Sequence, residues 1–464
     1  MTLLKGITWN HPRGYQPLRA ASALWKKESG VDLQWDVRTL KEFGDYPIEK
    51  LTGLYDLLII DHPYTGSAAA NRLLLPLDDQ LPASFIEMQK QQSIGGGFGS
   101  YRYNDVCWAL PIDAAAQVSA YRKDLVTAMN WTLPAAITGL KDAAAALQKN
   151  KFIGVPLCPT DIWCVFLSLC AMYSKGSFFS EDGIDQLTGE WALEQIRSWK
   201  EFLHESSFSM NPVHMLDHMS TADDIVYVPL TFVYSNYARK GWKEKLIHFC
   251  DPPVQQEGPP TSLMGGAGLA ISSRTKRMAE CLAFMQYILS EEIQKGLYYQ
   301  EQGQPAHLSA WLDGDNNRDC SGFFSDTLET MRNAYVRCTR PERDPNTDAR
   351  SFDAAKILAP RELRQPVAPM QQVRSAARPL PPGQANSTST SSAATLSPPL
   401  ADTALTTPSR SARMMFCIFI ASMTQTISPS RTVWPTSTSM LTTRPGIGLM
   451  IIFEVSAALR SGSF

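Results

Sequence analysis

The stretch VDLQWDV, residues 31–37, decides the fold class. Val31, Leu33, Trp35 and Val37 alternate with Asp32, Gln34 and Asp36, the two-residue period of a strand with one buried face. Upstream, Leu3–Thr8 reads as a first strand. Pro17 suits a first helical turn, Leu18, Ala21 and Trp25 follow on one face, and Gly30 stops the helix. Downstream, Leu57–Ile60 is a continuous apolar run ending at Asp61, as in a strand covered on both faces. This β-α-β-α-β order predicts an α/β fold with a doubly wound sheet.

From about residue 114 the pattern is more helical. Ala192, Ile196, Trp199 and Leu203 mark one helix. Met278, Cys281, Leu282, Met285, Ile288 and Leu289 mark another, at near-regular helical spacing. Ile225–Phe232 reads as a strand interrupted by Pro229. No internal repeat is present. After about Arg337 the texture changes: no lysine follows Lys356 and no tyrosine follows Tyr335. About two-fifths of residues 386–445 are Ser or Thr, with frequent Pro, a composition that does not build a core. Residues 338–464 are therefore expected to be a low-complexity, disordered tail or the product of out-of-frame translation.

The 464 residues suffice for two or three domains. A formal net charge of -2 gives no basic surface for nucleic acid, which is excluded as a partner. The nine cysteines show no CxxC pair and no regular spacing, so buried free thiols are expected rather than a disulfide framework. MTLLKGITWN at the N-terminus has no apolar stretch of signal-peptide length. The apolar run Met414–Met423 falls short of the ~20 residues needed to span a bilayer.

No catalytic motif stands out. GGGFG at 95–99 lacks the Lys-Ser/Thr ending of a phosphate-binding loop, and no GxSxG occurs. His214, Asp217 and His218 give an HxxxH spacing, but no Glu follows the first His and Met215 and Met219 suggest an apolar stripe. Neither a metal site, a cofactor nor a catalytic residue is assigned.

Four segments in order carry a resemblance: residues 7–36 (ITWNHPRGYQPLRAASALWKKESGVDLQWD), 55–82 (YDLLIIDHPYTGSAAANRLLLPLDDQLP), 103–126 (YNDVCWALPIDAAAQVSAYRKDLV) and 262–297 (SLMGGAGLAISSRTKRMAECLAFMQYILSEEIQKGL). Over about residues 3–337 the chain resembles the extracellular solute-binding proteins of family 1, the maltodextrin and other sugar receptors of ABC importers. Leu110, Pro111, Tyr121, Lys123, Asp124 and Leu125 match the stretch that leaves the first lobe through the hinge. Ala283–Glu291 and Gln294 match the helix after the returning strand.

The resemblance implies a two-lobed type II periplasmic-binding-protein fold with hinge crossovers. Lobe one would comprise 1–112 with 262–312, and lobe two 113–261 with 313–337. Ligand would lie in the cleft and contact both lobes only when they close. It further implies a monomeric importer receptor for a sugar or related polyol, working with permease subunits, in the periplasm or outside the cell. The missing leader-like segment keeps a cytoplasmic location open. The alternative function is a cytoplasmic ligand sensor or an enzyme on the same scaffold.

Ligands of open α/β sheets sit beyond the carboxyl ends of strands. After the first strand come Trp9, Asn10, His11 and Arg13: a flat apolar ring face beside donors and acceptors. The bland reading is an ordinary turn. Arg13 leaves room for an acidic ligand. Asp61 and His62 follow the apolar run, and a carboxylate there can accept from two hydroxyls at once; otherwise Asp61 starts a turn before Pro63. Asp113 lies at the hinge, as a ligand contact or a cap. The resemblance implies that Tyr234 is an aromatic platform in lobe two. Gly265 and Gly266 either admit ligand to the backbone or let strands cross tightly. Trp163 reads as a core residue.

Overall fold

The computed structural model describes residues 2–337 apart from 46–47, 148–151, 175–177, 181–182 and 256. The predicted tail, 338–464, lies outside the described residues, as do Cys338 and Cys417. Seven main strands are named here: β1 Leu3–Trp9, β2 Asp32–Arg38, β3 Leu57–Ile60, β4 Leu110–Tyr121, β5 Tyr227–Phe232, β6 His248–Cys250 and β7 Met264–Ile271. The principal helices are α1 Pro12–Ser29, α2 Pro159–Ser174, α3 Gln186–Trp199, α4 Pro212–Met219, α5 Met278–Ile288 and α6 Phe323–Arg332.

The three strands expected from the N-terminal third are present and parallel, with β1 between β2 and β3. Antiparallel β7 adds to the far side of β3. Leu57 and Ile59 point into one core with Leu18, Ala21 and Trp25 of α1 and Cys281, Phe284 and Met285 of α5. Leu58 and Ile60 point into the opposite core with Tyr64, Ala68 and Leu74. Both faces are covered, which is why β3 reads as an uninterrupted apolar run.

Helix α1 begins five residues before Pro17. His11 is the N-cap, its Nδ1 accepting from the Arg13 amide, and Pro12 occupies the first helical position. Pro17 lies inside the helix, so the first-turn assignment for Pro17 is corrected. Gly30 ends the helix as expected, at φ 72°, where its lack of Cβ removes the usual strain.

Strand β4, twelve residues long, changes partners along its length. Its first half, Leu110–Ala116, pairs antiparallel with β7; its second half, Gln117–Tyr121, pairs with β5 and β6. Pro229 sits where the β4–β5 register shifts between Val118 and Ala120, and the Ser119 hydroxyl donates to its carbonyl at 3.0 Å. A proline within a strand is tolerated at such an irregularity.

Two further cores surround the second half of β4. One joins α2 and α3 through Phe166, Leu169, Ala192, Ile196 and Trp199. The other joins Met215, Tyr237 and Phe249 to Tyr299, Trp311, Phe323 and Met331. Leu203 is buried just beyond the end of α3. The seven described cysteines are free thiols, five of them buried and Cys158 and Cys250 half-buried. No helix among the described residues is long and apolar enough to cross a membrane.

Candidate functional site

The carboxyl ends of β1 and β3, the middle of β4 and the end of β5 converge. Arg13, in the first turn of α1, is buried, and its guanidinium forks onto Asp113 of β4: Nε donates to Oδ2 at 2.7 Å and Nη2 to Oδ1 at 2.5 Å. Its Nη1 donates to the Val233 carbonyl, just after β5, at 2.5 Å. One side chain thus ties β1's exit to β4 and to the β5 end. Burial opposes the Arg13 charge, but Asp113 beside it outweighs that penalty and holds its pKa above the usual value. The guanidinium lies 4.6 Å from the centre of the Tyr234 ring.

Tyr234 is buried, and its ring meets the His11 ring at 4.6 Å between centroids. Burial first, and then the Arg13 charge, push the His11 pKa down to about 3, so its imidazole is neutral at physiological pH. Asn10 is exposed, with its amide donating to the Arg38 carbonyl at 2.7 Å. Trp9 is buried in a core, its ring 5.3 Å from that of Phe43 and pressed against the Cα of Gly14. The space around Trp9 is that of a packed core residue rather than an open platform.

Asp61, beyond β3, accepts from Arg337 Nη2 at 3.1 and 3.0 Å. Burial alone would raise its carboxyl; the Arg337 charge prevails and holds it well below the usual range. His62 follows, fully buried, and burial together with the Arg337 charge depresses its pKa. Its Nδ1 is 3.3 Å from Asp61 without hydrogen-bond geometry, and neither ring nitrogen has a hydrogen-bond partner among the described residues. The same is true of Trp9 Nε1, Ser235 Oγ and Arg337 Nε. Buried polar atoms left in this state are costly unless something hydrogen-bonds to them.

Gly265 and Gly266 lie on β7. A Cβ on Gly265 would lie 2.7 Å from the Phe232 ring, and one on Gly266 only 2.4 Å from the Asp113 carbonyl, at φ 100°. What their missing side chains admit is β4 and Phe232, the tight crossing of strands. Trp163 stacks on Phe166 and is packed against the core of α2 and α3.

The sequence does not single out Arg337, Val233, Gln304 or Asp161. Gln304 holds β4 and the end of β5 together, donating to the Ala114 carbonyl at 2.7 Å and accepting from the Ser235 amide at 2.8 Å. Asp161, in the first turn of α2, accepts from the Cys158 thiol at 2.9 Å, and burial pushes its carboxyl up to about 7. The charges of Arg337, Asp161 and Asp61 all bear on the buried Cys164. Only Asp161, as a polar residue opening an apolar helix, had a local signal. The other three depend on contacts distant in sequence.

His214 and His218 do not act as a pair: His218 Nε2 lies 2.6 Å from Asp224 Oδ1, whereas Asp217 pairs with Lys243 and with the Tyr237 hydroxyl. A cavity of about 500 Å³ is lined by Arg239, Trp242, Tyr299, Gln302 and Asp319, and by neither Arg13 nor Asp113.

A family model described as bacterial extracellular solute-binding protein matches residues 48–315, and the chain belongs to that family. Solved structures with the same fold include three bound to small solutes. An ABC transporter solute-binding protein from Agrobacterium radiobacter K84, in complex with ribitol, is 20% identical with a TM-score of 0.66, over 77% of this chain and 94% of that one. Maltose-bound MalE3 of T. maritima is 13% identical at 0.64, over 77% and 97%. UgpB from Mycobacterium tuberculosis, in complex with glycerophosphocholine, is 12% identical at 0.60, over 77% and 96%. The fold is the two-lobed one expected of periplasmic binding proteins. Family and fold are those of solute-binding proteins rather than enzymes.

Proposed function

We propose that the chain is the receptor of an ABC importer, acting as a monomer outside the cytoplasmic membrane and delivering a small polyhydroxylated solute, a sugar or polyol, to permease subunits. The ligand would bind between lobe one, 1–112 with a segment from 262, and lobe two, 113–261 with the segment up to 337. We draw the return to lobe two near Tyr299 rather than after Leu312, because Tyr299 and Trp311 share a core with Met215 and Phe249. Asn10, His11, Arg13, Asp61, His62, Asp113 and Tyr234 would face the ligand, with Trp9, Gly265 and Gly266 supporting them.

The observation that carries this reading is the gathering of buried polar groups where β1, β3, β4 and β5 meet. His62 Nε2 and Arg337 Nε there lack hydrogen-bond partners among the described residues. A solute rich in hydroxyls donates and accepts hydrogen bonds together, which suits this mixed set of groups. Ribitol and maltose in similar proteins support the polyol class. Glycerophosphocholine in another shows that the fold also takes a charged solute, which the Arg13 and Arg337 guanidinia would suit.

A thermal-shift screen of the full chain against polyols, mono- and disaccharides, sugar acids and glycerophosphodiesters tests the proposal. One class is expected to raise Tm in a concentration-dependent way, by mass action. No shift from any member at millimolar concentration would overturn it.

A further inference from the structure

We propose a second binding site, for a divalent transition cation such as Zn²⁺, formed by His204, His218 and Asp224, none of which is assigned to the solute. Their ligand atoms all lie within 4.8 Å of one another, the one such group of three His, Cys, Asp or Glu side chains among the described residues. His204 Nε2 stands 3.3 Å from Asp224 Oδ2, and His218 Nε2 stands 2.6 Å from Asp224 Oδ1. Donors around a tetrahedral zinc, with Zn–N near 2.0 Å, are separated by about 3.3 Å. Closing the set from at most 4.8 Å to that spacing takes small rotations of the three side chains. The fourth position faces solvent, because all three side chains are partly exposed.

The ligands come from three segments, and the backbone holds each near its place. His204 follows α3, its amide donating to the Ile153 carbonyl at 2.8 Å, and Ile153 bridges both Leu203 and Tyr227 of β5. His218 lies in the last turn of α4, a helix capped by Asn211, which accepts from the His214 amide at 2.9 Å. Asp224 leads into β5, and its neighbour Asp223 is engaged by Lys245 at 2.6 Å and Arg122 at 3.0 Å. Those two cations are thereby partnered beside the cluster. The Ser206 hydroxyl lies 2.6 Å from His204 Nδ1, the outer contact that fixes a ligating imidazole with Nε2 turned to the metal. The HxxxH spacing of His214 and His218 pointed to the wrong partner: the chain path, not the helix period, supplies the second imidazole.

Equilibrium dialysis of the chelator-treated full chain against Zn²⁺ at pH 7.5 tests this. His204→Gln and His218→Gln are each expected to bind about one equivalent fewer than the wild type. His214→Gln, on the same helix but outside the cluster, is expected to bind as much as the wild type. Retention of wild-type binding by His204→Gln, or an equal loss in His214→Gln, would overturn the assignment. Should a variant fold poorly by circular dichroism, Cu²⁺ electron paramagnetic resonance on the wild type decides. Coupling to two imidazole nitrogens at pH 7.5 supports the site; its absence contradicts it.

Discussion

Arg13 and Asp113 were each legible as candidate polar groups, yet their pairing was not, because they lie 100 positions apart. Removing one partner of a buried pair leaves an uncompensated charge, so Asp113→Ala is expected to destabilise the fold by about 3–5 kcal/mol in urea unfolding. A loss under about 1 kcal/mol would mean that solvent reaches Arg13. Tyr234 presents a related problem. As a buried neighbour of Arg13, His11 and Tyr237, it is a poor target for truncation to alanine, and Tyr234→Phe separates hydrogen bonding from packing. Asp161 gives a pH signature. Its folded pKa, about 7, stands above the unfolded carboxylate value. The folded chain therefore holds the extra proton between about pH 4 and 7, and stability falls as pH rises through that window. Asp161→Asn should raise Tm more at pH 8 than at pH 5; equal increments at both would contradict the assignment. Arg337 escaped the sequence because it stands where periodicity ends, and its partner Asp61 is 276 positions away.

Elements were legible where a period or a continuous apolar run exposed them: β1, β2, β3 and α5 stand where the pattern puts them, and α3 does so as far as Trp199, ending four residues short of Leu203. The start of α1 was misplaced because two prolines compete for the first turn, and the His11 cap, invisible as a pattern, decides for Pro12. The dual pairing of β4 was signalled only by the resemblance, which puts a hinge crossing over residues 110–125; the residues themselves read as more helical from about 114, because the alanines there carry no two-residue alternation. The close contact of β4 with β7 depends on Gly266, whose φ of 100° and 2.4 Å separation of a notional Cβ from the Asp113 carbonyl exclude larger residues. Gly266→Ala is therefore expected to lower the unfolding free energy measured in urea by more than about 1 kcal/mol. Unchanged stability would show that the strands can separate without loss.

At the scale of the whole molecule, the class was legible from the order of four segments, and the family match over residues 48–315 agrees with it. The ligand was not, because a cleft's specificity resides in side chains brought together from distant segments. A two-lobed receptor closes when a solute bridges both lobes, and saturating ligand is expected to reduce the radius of gyration in X-ray scattering. The most direct test of solute binding between the lobes is titration calorimetry of the best ligand from the thermal screen, on wild type, Asp61→Asn and Tyr234→Phe. The account predicts affinity at least about tenfold weaker in each variant, equivalent to about 1.4 kcal/mol per lost contact. Wild-type affinity in both variants, with the fold intact, would contradict it.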